Sequence, residues 1–262
     1  SGKATNDLTG CTRGASGTTA AAHSSGAVVT QVTTSGSSAW SGWGVAASSG
    51  GVGQQLRLWS QSNFGEDLVF APRGGGMYYW DATTTVASRG ILAADLPGAD
   101  ANTPTLVNFI YVSDTSRFVF AFGCVDYGGT ELDPMLIRWS DQESLTVWYP
   151  AATNQAGSLR LSRGSQIVTA LQSRQEILVF TDSSLYSLQY LGADPWWGSQ
   201  ILGDNISIIG ENAAAIASGV TYWMGADKFY IYDGTVKTLK CDLRQFIYGD
   251  INLNQNEQVF AG

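Results

Sequence analysis

An all-β fold built of β-propeller-like repeats, with the ring incomplete and a small N-terminal β module ahead of it, is what this sequence predicts. Three observations point there. Charged residues make up only 14% of the 262, while 44% are hydrophobic, with 9 Trp, 11 Tyr, 10 Phe and 31 Gly. Few charges with many aromatics and turn formers describe a folded chain of short strands, not a solvated disordered one. A paired-strand pattern then recurs four times, and helical periodicity is nearly missing.

The elements follow in chain order. Residues 1–53 are rich in Gly, Ser, Thr and Ala, with β-prone pieces at Val28–Thr34 and Trp40–Trp43; they read as the N-terminal module and its connection. Residues 54–262 form the repeat domain. Its first unit pairs Asp67–Ala71 with Met77–Asp81, and its second pairs Arg117–Phe122 with Met135–Asp141. The third pairs Glu176–Asp182 with Leu185–Tyr190, and the fourth pairs Gly219–Met224 with Lys228–Gly234. Each unit ends on an aromatic (Trp80, Trp139, Tyr190, Tyr232), at spacings of 59, 51 and 42 residues. Such a period, with two to four strands in each, suits propeller blades that cover one another's apolar faces. A two-layer β-sandwich is the alternative. Asn212–Ala217 reads as one helical turn. Gln245–Tyr248 and Gln258–Ala261 read as the opening of a further blade, left without partner strands. An edge exposed in that way invites pairing, so either a larger protein continues here or a neighbouring chain closes the ring. The start at Ser1-Gly2-Lys3, without an initiator Met, reads as a processed or partial product.

Charge and cysteine usage remove whole classes of chemistry. With 14 basic against 22 acidic residues, the net charge of −8 leaves no excess of cations to grip a phosphate backbone. The single histidine, His23, rules out multi-His metal sites within one chain. Cys11, Cys124 and Cys241 are far apart and form no CxxC, so they read as small apolar residues, not as ligands or a disulfide framework. No apolar run is long enough to span a membrane.

Candidate sites are few. His23 adjoins Ser24 and Ser25, but no G-x-S-x-G elbow accompanies them, and a structural role is expected. Asp81, Asp141, Asp182 and Asp233 follow hydrophobic strands, where Asx turns account for them. Asp95, Asp100 and Asn102 flank Pro97-Gly98 and come nearest to a calcium loop, without completing one. Ser140-Asp141 with Thr146 and Trp148 resembles the Asp-box turn of sialidases at a different spacing. No catalytic, cofactor or metal residue is therefore assigned. The aromatic loop Asp194-Pro195-Trp196-Trp197-Gly198 is read either as a plug over the core or as a partner contact made by Trp196 and Trp197.

Two passages carry a resemblance. Leu8-Thr9-Gly10-Cys11-Thr12-Arg13-Gly14, running on to Val29, is similar to a stretch of many phage tail and structural proteins. Ile137–Asp141, Val147–Pro150 and Leu178–Tyr186 resemble the repeats of propeller-bearing tail proteins, including the nozzle or stabilisation proteins of short-tailed phages. The resemblance implies a non-enzymatic virion protein of the phage tail. It would form a homo-oligomer around the tail axis among other tail proteins, with DNA only as passing cargo and no membrane anchor. A receptor- or glycan-binding virion module and a propeller glycosidase are the alternatives.

Overall fold

Among the described residues, four separate four-stranded sheets, each a simple antiparallel meander, make up the body. The computed structural model describes residues 58–262 apart from 115 and 175. The expected module at 1–53, His23 and the first phage-like motif lie outside the described residues.

The first sheet runs β1 (Trp59–Phe64), β2 (Asp67–Pro72), β3 (Tyr78–Trp80) and β4 (Ile91–Leu92). The second holds β5 (Val107–Val112), β6 (Val119–Val125), β7 (Leu132–Trp139) and β8 (Gly157–Arg160). The third holds β9 (Ile167–Gln172), β10 (Ile177–Thr181), β11 (Ser184–Tyr190) and β12 (Trp197–Asp204). In the fourth are β13 (Ala214–Ala217), β14 (Val220–Met224), β15 (Phe229–Tyr232) and β16 (Val236–Leu239). The four aromatic marks of the repeat each end the third strand of a sheet, and the expected strand pairs are the second and third strands. The units are thus equivalent, as propeller-like repeats require, and the two-layer sandwich is set aside.

Alternation along the central strands shows how the sheets stack. On β6, Val119, Ala121 and Cys124 join the core shared with the first sheet, while Phe120 and Phe122 join that of the third. On β10, Ile177 and Val179 face the second sheet, and Leu178 and Phe180 meet Trp223 and Tyr230 of the fourth. Period-two side chains buried on both faces are what a sheet between two neighbours demands. The first strands of neighbouring sheets abut: the backbone N–H groups of Ile110 and Val112 donate to Ser60 Oγ (3.1 Å) and Ser62 Oγ (3.2 Å). The β5 edge is satisfied in that way instead of being left open. The described sheets do not close a ring.

Two local expectations are corrected. Ala214–Ala217 is strand β13 and not a helical turn. The tight turn at Ser218 (φ 52°) and Gly219 (φ 76°) folds it back onto β14, and that pairing overrides the helix preference of alanine. The expected opening of another blade is instead a short helix, α1 (Arg244–Asp250), and a 3-10 segment, Leu253–Gln258. Three apolar residues in Phe246-Ile247-Tyr248 do not distinguish strand from helix by themselves. Here Tyr248 decides, packing its ring 5.6 Å from Phe229 and donating its hydroxyl to the Gly225 carbonyl at 3.0 Å.

Candidate functional site

A cleft of about 810 Å³ opens between the third and fourth sheets. Its wall is assembled from turns that are distant in sequence: Arg174 and Glu176 ahead of β10, Gln189 and Tyr190 at the end of β11, Gly219 before β14, and Asp233 after β15. Glu176 is the anchor. Its carboxylate accepts from the Tyr232 hydroxyl at 2.7 Å, from Gln189 Nε2 at 3.4 Å and from Ser187 Oγ. Burial, with the neighbouring Glu176 carboxylate, pushes the Tyr232 phenol up, which keeps it a donor. Gln189 Nε2 also bonds Ser187 Oγ at 3.0 Å, so the amide nitrogen is turned inward.

Across the cleft, Arg174 Nη2 donates to the Ser218 carbonyl at 3.5 Å. The positive φ of Gly219 (76°) favours glycine there, and a Cβ would also push the exposed Arg174 guanidinium aside. Asp233 is held by Lys237 Nζ at 2.6 Å, which keeps its carboxyl below the usual range. Tyr190 is 42% exposed and stacks on Trp196 with ring centroids 6.2 Å apart.

The two tryptophans expected to meet a partner part company. Trp197 is 5% exposed and stands edge-on to Phe120 (4.8 Å) and Phe118 (5.5 Å) inside the core of the second and third sheets. Its side chain is not available to a partner. Trp196 is half-buried beside Tyr190, so the expectation narrows to that residue.

The turn aspartates hold backbone. Asp81 Oδ1 accepts from Thr83 N at 2.8 Å, and Asp182 Oδ1 from Ser165 N at 2.8 Å. Asp141 Oδ1 takes the amides of Gln142 (2.9 Å) and Gln155 (2.8 Å). Asp100, considered above with a calcium loop, ties down the amides of Asn102, Trp148 and Tyr149. The Ile137–Asp141 passage is likewise structural. Arg138 is 1% exposed, donates to the Val125 carbonyl at 2.9 Å and to the Asn102 carbonyl, and lies 4.0 Å above the Tyr127 ring. Burial pushes the Cys124 thiol up to about 12, consistent with a packed, unreactive group.

Sequence reading missed a second polar site. Arg73, after β2, reaches Glu211, ahead of β13, at 3.6 Å. They line a cavity of about 180 Å³ together with Asp182, Gln166 and Glu257. Glu211 is 6% exposed, and its Oε2 has no hydrogen-bond partner. Burial pushes its carboxyl up to about 7, opposed by Arg73 and reinforced by Glu257. Arg73 and Glu211 lie 138 positions apart, so no local motif marks them.

No protein-family model matches the sequence, and no curated protein matches it. Among solved structures, the chain is similar to Hsv2 of Kluyvelomyces marxianus (9% identity, TM-score 0.36), covering 66% of this chain and 46% of that one. It is also similar to BBS1N, solved in complex with ARL6DN (10% identity, TM-score 0.40), covering 71% and 55%. The overlap with an extracellular domain from B. thetaiotaomicron (13% identity, TM-score 0.26) covers 72% and 34%. The chain thus spans about half the length of the first two and a third of the last. Overlaps at these scores carry no information about ligand, partner or reaction.

Proposed function

We propose that this chain is a non-enzymatic structural component of a bacteriophage tail, of the nozzle or tail-tip type. In this reading several copies join around the tail axis into a collar or channel for DNA ejection. The observation that carries it is the outer face of the fourth sheet. There Tyr222 and Leu239 are 37% and 41% exposed, beside a groove of about 210 Å³ that Phe229 and Phe260 help to line. Phe246 on α1 and Phe260 expose 74% and 69% of their surface. Exposed apolar side chains around such a groove are what a contact site on a folded protein presents. A second copy of the chain is the natural occupant in a ring of identical subunits.

The rest of the polar inventory supports a wall and not a reaction centre. Asp81, Asp100, Asp141 and Asp182 hold turns together. The glycosidase alternative needs paired carboxylates in a sugar-sized pocket. The cavity around Glu211, at about 180 Å³, falls below the roughly 300 Å³ where small-molecule sites begin. In the cleft of about 810 Å³, Asp233 is paired with Lys237 and held below the usual carboxylate range, so it is not poised as a proton donor beside Glu176. The acidic excess suits a surface past which DNA slides without sticking. The motifs at Leu8–Val29 and Ile137–Tyr186 supply the link to phage tails.

Two measurements test this. Light scattering is expected to give a mass several times that of one 27.9 kDa chain, and a single-chain mass at every concentration would contradict assembly. Cryo-EM of the parent particle is expected to place a ring of copies at the tail. Particles lacking the chain, or carrying it as isolated copies away from the tail axis, would refute the assignment.

A further inference from the structure

We propose that the cleft between the third and fourth sheets binds a neutral saccharide chain. This goes beyond the tail assignment and does not depend on it.

Size comes first. At about 810 Å³ the cleft lies in the upper part of the roughly 300–1,000 Å³ range of small-ligand sites. Its walls belong to two sheets that share one aromatic core, where Phe180 meets Trp223 at 5.3 Å, so it is formed before any ligand arrives. Preformed walls avoid the ordering cost that weakens flexible sites.

Lining chemistry then selects the ligand class. In the lining Arg174 stands against Glu176, and Asp233 is neutralised by Lys237, which lies outside the lining. That balance gives no net attraction to a phosphate, a polyanion or a cation. An apolar ligand would strip water from guanidinium, carboxylate and amide groups without replacing their hydrogen bonds. The cleft is lined by turns and strand ends and not by an open strand edge, so an extended peptide finds no ladder to join. Hydroxyl-rich neutral chains remain, since each hydroxyl both donates and accepts.

The side chains are set for that exchange. Glu176 is fixed by three donors, and Gln189, with its nitrogen turned inward, keeps Oε1 as an acceptor for a sugar hydroxyl. The Arg174 guanidinium spends one N–H on Ser218 and retains others to donate. The Tyr190 ring turns the other way, against Phe118 and Trp197 with its hydroxyl on Gln155 Oε1, so recognition rests on hydrogen bonds from Arg174, Glu176 and Gln189.

The test uses the full 262-residue chain and a panel of neutral hexasaccharides built of glucose, mannose, galactose or N-acetylglucosamine. Saturation-transfer NMR and titration of the Trp fluorescence supply the readouts. At least one hexasaccharide is expected to bind with a dissociation constant of about 1 mM or tighter. Arg174→Ala and Gln189→Ala, both at exposed positions, are each expected to weaken it about tenfold while the unfolding midpoint stays in place. Lys240→Ala, away from the cleft, is expected to leave binding unchanged. The proposal is overturned by the whole panel failing to bind, by binding that survives both cleft variants, or by a preference for polygalacturonate over every neutral chain.

Discussion

Strand β6 is buried at all seven of its positions, whereas β14 buries Thr221 and Trp223 but leaves Tyr222 between them exposed. Both are the second strand of their sheet, and both are rich in aromatic and β-branched residues. What differs is the number of neighbours. The β6 sheet lies between two others, so each side of its pleat meets a core. Among the described residues, the β14 sheet meets the third sheet on one side, and on the other Tyr248 of α1 and the segment through Phe260. Position in the stack, more than composition, decides which apolar residues become core and which become contact surface.

The sharpest way to break this comparison is a pair of truncations. Phe120→Ala, in the doubly covered sheet, is expected to cost about 3–5 kcal/mol in urea unfolding. Tyr222→Ala, on the outer face, is expected to stay within about 0.5 kcal/mol. Equal costs would show that both strands sit in equivalent surroundings.

Arg138 tests the middle sheet from its polar side. Replacing it with alanine removes a charged donor from two buried carbonyls and from the Tyr127 ring. A loss of about 2–3 kcal/mol is expected by the same assay.

Glu211 tests the tie between the first and fourth sheets. Its folded carboxyl titrates near 7, above the unfolded value of 4.5, so the folded state holds a proton that the unfolded state has released. The stabilisation is fully present below pH 4.5 and is lost as pH rises through about 7. Wild type is therefore expected to gain stability between pH 8 and pH 5, by about 1–3 kcal/mol. Glu211→Gln should flatten that slope, and an unchanged slope would assign it to other groups.

The smallest effect belongs to the exposed pair Lys237–Asp233. Lys237→Ala is expected to leave the unfolding midpoint in place while NMR shows the Asp233 carboxyl returning upward toward its ordinary range.

These differences set what could be read in advance. Central strand pairs were legible because Phe118–Phe122, Glu176–Phe180 and Phe229–Tyr232 are dense apolar or aromatic stretches closed by turn residues, and their terminal aromatics kept a common register. Outer strands were not. β4 has two residues, and β16 has a lysine and a threonine in Val236-Lys237-Thr238-Leu239, so neither shows a period of its own. Ala214–Ala217 misled because alanine fits a helix by itself and a strand only when a partner is supplied. The cleft was illegible for a related reason. Glu176 and Tyr232, 56 positions apart, meet only after two sheets have stacked. The Trp196-Trp197 pair was visible, but which of the two faces inward follows from strand phase, set by β12 starting at Trp197.

Hydrogen exchange measured over a series of protein concentrations addresses the open face of the fourth sheet most directly. If that face joins copies of the chain, amides of β16 and of Arg244–Phe260 gain protection as concentration rises, and those of β6 do not change. Protection that is independent of concentration, or that grows on another surface, would contradict it.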